Sequence, residues 1–134
     1  MKKNILFSFV LLSSFACKKT ETVVTQPISG SYKVVTLDAA DVSKFKGTLI
    51  IKAPSKTSNG TSGCNFFFMD TKVDSVNLTV SFSSITTTQI GCLNDLATFE
   101  QNYYQSLQVV DTYEFDNQSL VLKEKGKKRL VLTK

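Results

Sequence analysis

The sequence predicts a mainly β domain: a closed or nearly closed antiparallel, β-barrel-like sheet of about eight short strands with one amphipathic helix. Short apolar–polar alternations recur between residues 30 and 89 and again between 112 and 133. Residues 93–110 instead show a helical period. A chain of 134 residues that is 42% hydrophobic suits one domain with a single core. We expect a closed sheet because closure removes exposed strand edges.

The N-terminal segment predicts export. Met1–Lys3 is basic and residues 5–15 are apolar, which is typical of a secretory signal peptide. The apolar stretch is shorter than the roughly 20 residues that span a bilayer. Ser14-Phe15-Ala16-Cys17 resembles the lipobox of bacterial lipoproteins, although Ser14 stands where leucine is usual. The alternative is an ordinary cleaved signal followed by an unrelated cysteine.

Three cysteines in an exported chain leave one without a disulfide partner, and lipidation of Cys17 accounts for it. We therefore expect a signal peptide over residues 1–16, a lipidated N-terminus and flexible tether over 17–29, and the folded domain over 30–134. Lys18 and Lys19 follow the cysteine where an inner-membrane lipoprotein would carry aspartate. This favours a protein anchored to the outer membrane. We expect it to face the periplasm, and the outer leaflet is the alternative.

The strand pattern divides the domain into short elements. We predict strands over residues 30–37, 47–53, 64–69 and 75–82, a short extended run over 85–89, a loop over 55–62 and a turn over 70–74. In the clearest alternation, Val76, Leu78, Val80 and Phe82 would face the core. A terminal meander is expected over 112–116, 119–123 and 129–133, with Leu120, Leu122, Leu130 and Leu132 on one face.

The three consecutive phenylalanines from Phe66 to Phe68 cannot all face one core. The favoured prediction packs alternate rings inside, with the other ring beneath a loop or helix. An exposed apolar ligand surface is the alternative.

The helical stretch after Cys92 is amphipathic, with Asn94 or Asp95 as the expected N-cap. Its other face is neutral and polar, without the basic residues of a helix that lies on a membrane, so we expect it to cover the core. The apolar face consists of Leu93, Leu96, Phe99, Tyr103, Leu107 and Val110.

Cys64 and Cys92 are predicted to form a structural disulfide, because an exported compartment permits one and a small core benefits from it. Two buried thiols or a redox pair are the alternatives.

The end of the chain is basic, with Lys125, Lys127, Lys128 and Arg129 around a predicted turn at Gly126. Such a cluster is either a solvated turn or a surface for an anionic partner. Nucleic acid is not expected, since the chain is exported and no aromatic residue interleaves the basic ones.

The composition offers little catalytic chemistry. The absence of histidine removes the usual general base and the commonest metal ligand. Asp111, Glu114 and Asp116 are close in sequence, but a solvated strand face is favoured over an acid–base pair. We expect no catalytic residues, no metal site and no cofactor.

Together these elements resemble the META domain, also called HslJ-like, of small bacterial envelope proteins. The resemblance spans about residues 30–134 and is carried by Gly63-Cys64-Asn65, by Thr88 with Cys92, and by Glu100 on the helix. Tyr32 stands where the family often has tryptophan, and Phe68-Met69 where a glycine is common. The resemblance implies a β-barrel-like domain of broadly lipocalin-like topology, a link to envelope stress, and no established catalytic residues.

We therefore expect a non-catalytic, lipid-anchored binding or stress-protection module of the cell envelope. Its partners would be the membrane, through the anchor, and an envelope protein or an anionic envelope component, through the basic turn. A carrier of a small apolar ligand and an enzyme inhibitor are the alternatives.

Overall fold

The computed structural model describes residues 26–134 as one antiparallel sheet of nine strands packed against one α-helix. The predicted signal peptide and Cys17 lie outside the described residues. No helix within 26–134 is long and apolar enough to cross a membrane. The strands are β1 Gly30–Leu37, β2 Ala40–Asp41, β3 Thr48–Lys52, β4 Thr57–Thr61, β5 Phe66–Asp74, β6 Thr79–Thr87, β7 Thr112–Asp116, β8 Ser119–Glu124 and β9 Lys127–Thr133, and the helix is α1 Asn94–Val109.

The sheet closes into a ring, which confirms the predicted fold class. From β3 onward each strand pairs with the next along the chain, and β1 pairs with both β3 and β9. Gly30 lies opposite Ile51 on β3, and Leu37 lies opposite Leu130 on β9. The two-residue β2 pairs with the end of β1.

Apolar side chains fill the interior of the ring, and α1 covers it with Phe99, Tyr103 and Leu107. The Tyr103 hydroxyl donates to the Thr48 carbonyl over 3.0 Å, so this buried phenol has a partner. The core begins before β1, because Ile28 is buried and its carbonyl accepts a 2.7 Å hydrogen bond from Tyr32. The four leucines of the terminal meander have no exposed surface, as predicted.

The loop predicted over residues 55–62 is wrong for most of its length, because residues 57–61 form β4. The inward positions of this strand are Ser58 and Gly60, which are not apolar. The Ser58 hydroxyl pairs with that of Thr71 at 2.7 Å. An inward face built from serine and glycine gives no hydrophobic alternation, so the strand left no signal in the sequence.

The predicted boundaries of the β5–β6 hairpin are also wrong. Strand β5 continues through the expected turn at 70–74, and the turn lies at Ser75–Leu78 instead. Val76 and Leu78 are consequently exposed, at 87% and 39%. The Asp74 carboxylate accepts hydrogen bonds from the backbone amides of Val76 and Asn77 at 2.9 and 3.1 Å. This Asx-type capping places the turn directly after the segment that hydrophobicity indicated.

The helix forms where predicted, but its N-cap does not. The N-cap residue is Leu93, which is 78% exposed and has no capping side chain, so the predictions of an Asn94 or Asp95 cap and a buried Leu93 are wrong. Asn94 has a φ of 50°, a left-handed conformation that asparagine tolerates. Asp95 lies in the first turn, where a negative charge complements the helix dipole.

Candidate functional site

Several residues of the family motifs lie together in a cluster of hydrogen-bonded polar side chains, which we call the Asn65 cluster. It consists of Ser62, Asn65, Thr88, Glu100 and Tyr104. Ser62 and Asn65 lie in the β4–β5 connection, and Thr88 follows β6. Glu100 and Tyr104 are one turn apart on the same side of α1. Three distant segments therefore meet at one point below the helix.

Asn65 is the centre of the cluster and is 3% exposed. Its amide nitrogen donates to the Ile90 carbonyl and to Glu100 Oε1, each over 3.0 Å. Its amide oxygen accepts from the Thr88 hydroxyl at 2.8 Å and from the Ile90 backbone amide at 2.7 Å. Two donors and two accepting lone pairs are all that an asparagine side chain offers, so its hydrogen-bonding capacity is used in full.

Ser62 and Glu100 complete the hydrogen bonding on the other side. The Ser62 hydroxyl donates to Glu100 Oε2 and accepts from the Asn65 backbone amide at 3.0 Å. The Tyr104 hydroxyl also donates to Glu100 Oε2, at 3.3 Å. The carboxylate of Glu100 is therefore held by neutral donors from three residues, and donors of this kind stabilise a half-buried charge.

The predicted disulfide between Cys64 and Cys92 is present in the structure, with Cα atoms 6.0 Å apart. It joins the β4–β5 connection to the segment before α1. The bridged residues are 28 apart in sequence, which corresponds to about 3–4 kcal/mol in the loop-entropy model. The same two segments are thus joined twice, once covalently and once through Asn65.

The donor atoms of Cys64, Cys92 and Glu100 lie within 4.8 Å of one another, a spacing that could suit a metal ion. A metal needs thiolate sulfurs, whereas both sulfurs here are bonded to each other. The Glu100 carboxylate is moreover already bonded to Ser62, Asn65 and Tyr104. In this oxidised form the group does not fit a metal.

The cluster is also poorly suited to catalysis. Ser62 has no exposed surface, so its hydroxyl cannot reach a substrate without local opening. Burial raises the pKa of Tyr104 to about 12, and the charge of Glu100 acts in the same direction. A phenol with so high a pKa is a weak acid at neutral pH. What the arrangement does is hold three segments together.

Asp111, Glu114 and Asp116, the carboxylates considered for acid–base catalysis, each have different surroundings in the structure. Glu114 forms an ion pair with Lys123 on the neighbouring strand. Asp111 accepts a 3.0 Å hydrogen bond from the Lys125 backbone amide, which lowers the pKa of Asp111. Asp116 is exposed at the end of β7.

The predicted basic surface divides into two parts. Lys125, Lys127 and Lys128 are exposed around the β8–β9 turn. Arg129 instead pairs with Asp38 at 2.9 Å and Glu124 at 3.5 Å, and its side chain is only 22% exposed. Arg129 therefore fastens the turn to the end of β1.

The structure contradicts the favoured prediction for the phenylalanine run, because two of the three rings are exposed as the alternative prediction requires. Phe67 is fully buried, but Phe66 and Phe68 are 61% and 63% exposed on the outer face of β5. We call this surface the Phe66–Phe68 face. On neighbouring strands Phe68 lies opposite Asn59 and Thr86, beside a groove of about 430 Å³. The face is apolar at its centre and polar at its sides, and the groove also includes the charged Lys52 and Asp70.

Sequence reasoning marked Asn65, Thr88 and Glu100 only through the family resemblance, and it missed Ser62 and Tyr104. Both lie beside marked residues, Ser62 just before Gly63 and Tyr104 one turn after Glu100. The available sequence signal is Glu100 itself. Its carboxylate lies on a helix that has no basic residue, so its hydrogen-bond donors are expected to be neutral side chains.

A ring-like antiparallel sheet, covered by one helix and fastened by a disulfide beside a fully bonded asparagine, defines a small β-rich class of domain. The chain belongs to the META domain family, whose model matches residues 24–134. No match was found among curated proteins.

Solved structures share the fold. A protein from Burkholderia xenovorans, determined by NMR, has a TM-score of 0.61 at 17% identity, covering 99% of this chain and 97% of the other. A crystal structure of a DUF4847 family protein from Bacteroides vulgatus has a TM-score of 0.55 at 16% identity, covering 78% of this chain and 90% of that one. At these identities the likeness concerns the fold alone.

Proposed function

We propose that this protein is a non-catalytic binding module of the cell envelope, held at the outer membrane by a lipid on Cys17 and acting through its outer surface. The partner proposed for the Phe66–Phe68 face is another envelope protein.

The packed interior supports an external binding surface over a carrier. The interior positions are occupied by large apolar side chains that have no exposed surface, among them Leu49, Phe67 and Tyr103. A carrier of small apolar ligands needs an open cavity of roughly 300–1,000 Å³ lined by such residues. The groove beside Phe68 lies on the outside of the sheet, and Lys52, Asp70 and Thr86 are among its lining residues.

The observation that carries the proposal is the exposure of Phe66 and Phe68 side by side. Two exposed phenylalanines on one strand face are costly in water, since burying each contributes about 1.5–3 kcal/mol. Side chains of this type concentrate at the centres of protein interfaces, with polar residues around them. Asn59, Thr61 and Thr86 supply such a rim on the adjacent strands.

The proposed anchor makes even weak contacts effective. Residues 17–26 span at most roughly 35 Å, at about 3.3–3.6 Å per residue. The domain would therefore stay in a thin layer at the membrane, where its effective concentration toward neighbouring envelope proteins is high.

A second candidate surface is the exposed lysine group of the β8–β9 turn, which suits an anionic envelope component. This group consists of Lys125, Lys127 and Lys128. Arg129 is not part of it, because its side chain forms ion pairs within the domain. Added salt should weaken binding through the lysine group, because ions screen charged contacts. Binding through the Phe66–Phe68 face should be much less sensitive to salt.

Affinity capture of the protein from its own membranes tests the proposal. Phe66→Ser with Phe68→Ser should remove the captured partner, while Lys125→Gln with Lys127→Gln and Lys128→Gln should remove only salt-sensitive material. A Cys17→Ser variant should capture less of both and leave the membrane fraction. Unchanged capture by the double phenylalanine variant would remove the Phe66–Phe68 face from the proposal.

A further inference from the structure

The turn between β5 and β6 exposes two apolar side chains and is held in place by the Asp74 carboxylate. Val76 is 87% exposed and Leu78 is 39% exposed. The Asp74 carboxylate accepts from two backbone amides of the turn, and its other oxygen accepts from the Asn77 side chain. These hydrogen bonds hold the pKa of Asp74 below its usual value. The turn thus presents the exposed Val76 side chain at its tip, and two of the turn's amides already have a protein acceptor.

The position of this tip relative to the start of the domain follows from the strand register. The chain enters β1 at Gly30, opposite Ile51, and the Ser29 hydroxyl accepts from the Ala53 amide at 3.3 Å. The next strands continue along that edge, where Thr57 lies opposite both Lys52 and Asp70. Strand β5 continues four residues past Asp70. The hairpin therefore extends beyond the edge of the sheet at which the N-terminal segment enters.

Exposed lysines lie among carboxylates at the base of this extension. Lys52, Lys56 and Lys72 are exposed there, together with Asp70. Asp74 and Asp111 line a groove with Lys72. Lysines at this level attract the anionic headgroups of a bilayer, and an apolar tip between them can reach the acyl boundary.

We propose that the β5–β6 turn docks on the bilayer that carries the lipid anchor, with the Val76 side chain at the acyl boundary and Lys52, Lys56 and Lys72 at the phosphates. The inference rests on the proposed anchor at Cys17, which places the entry edge within the reach of the tether. Docking at this edge would leave the Phe66–Phe68 face at the side of the domain, available to a partner in the same layer.

The chain has no tryptophan, so one introduced at position 76 is a unique fluorescent probe. Full-length lipidated Val76→Trp protein is reconstituted into vesicles of phosphatidylethanolamine and phosphatidylglycerol, with and without brominated acyl chains. Gln101→Trp, on the exposed polar side of α1, is the matched control. The emission at position 76 should shift to the blue and be quenched by the brominated lipid, whereas that at position 101 should not.

A second measurement uses the Cys17→Ser chain, which lacks the anchor, with added vesicles of the same composition. Val76→Asp should lower its vesicle co-sedimentation at least about fivefold, because it replaces the apolar group with a charge. Mass measurement of the N-terminal peptide reports lipidation separately.

If Cys17 is lipidated and the tryptophan at position 76 keeps a water-exposed, unquenched emission, docking is overturned and the anchor stands. If Cys17 is not lipidated but the probe is quenched on added vesicles, docking stands and the anchor proposal fails.

Discussion

At the scale of single residues, Asn65 shows how one side chain can organise a connection that has no regular secondary structure. Its four hydrogen bonds reach the segment after β6 and the helix, which are distant in sequence. The family resemblance pointed to Asn65, Thr88 and Glu100. It could not show that their side chains bond to one another, because that depends on how three distant segments come together in the fold. Ser62 escaped notice because serine in a polar loop is ordinarily exposed.

Replacing Asn65 by alanine should lower the free energy of unfolding by about 2–4 kcal/mol, because the half-buried Glu100 carboxylate and the Ile90 backbone amide and carbonyl lose a partner. Urea unfolding measures the change. Asn102→Ala, at an exposed position of α1, should alter stability by no more than about 0.5 kcal/mol. Equal effects of the two substitutions would show that the Asn65 cluster is not a structural tie.

The buried tyrosines should ionise at a higher pH in the folded protein than in the unfolded protein. Burial is the main cause that raises the pKa of all four, Tyr32, Tyr103, Tyr104 and Tyr113. Because these folded-state pKa values lie above the unfolded value of about 10, the associated stability is full below that pH and is lost as pH rises further. Phenolate absorbance should therefore appear later in native protein than in urea-unfolded protein. Coincident titration curves would contradict the burial of these phenols.

At the scale of elements, the sequence predicted those whose inward faces are apolar and missed those organised by polar contacts. The terminal meander and α1 were predicted because leucines and aromatic residues mark their inward faces. Strand β4 was missed because Ser58 and Gly60 face inward. The β5–β6 turn was misplaced because Val76 continues an alternation that Asp74 interrupts by capping the backbone.

Strand β4 supplies a stringent test of the packing. A Cβ atom at Gly60 would lie 2.1 Å from the Thr48 carbonyl oxygen and 2.7 Å from the Phe67 ring. Gly60→Ala should therefore destabilise the protein by about 3 kcal/mol, since the backbone of β3 must move. Gly91→Ala is the matched control, because nothing lies within 4 Å of its Cβ position. Thermal unfolding compares them, and equal melting temperatures would contradict the close approach of β3 and β4.

At the scale of the whole molecule, the closed sheet leaves several distinctive groups of side chains on its outer surface. The inward apolar side chains of the ring form one interior cluster, and the polar side chains of the Asn65 cluster bond to one another. What remains distinctive is external: the Phe66–Phe68 face, the apolar β5–β6 turn and the lysines of the β8–β9 turn. The sequence predicted the lysine group directly and raised the phenylalanine surface only as an alternative, because alternation cannot say whether an outward face is covered.

Site-specific photocrosslinking in living cells tests the central claim, that the domain acts by binding an envelope protein through its outer sheet face. A photoreactive residue replaces Phe68 in the full-length chain, and a second chain carries it at Gln101 on the exposed side of α1. The account predicts one discrete crosslinked envelope protein from position 68, absent from position 101 and strongly reduced when Cys17→Ser is added. Absence of a discrete product at position 68, with the protein folded and present at normal levels, would contradict it.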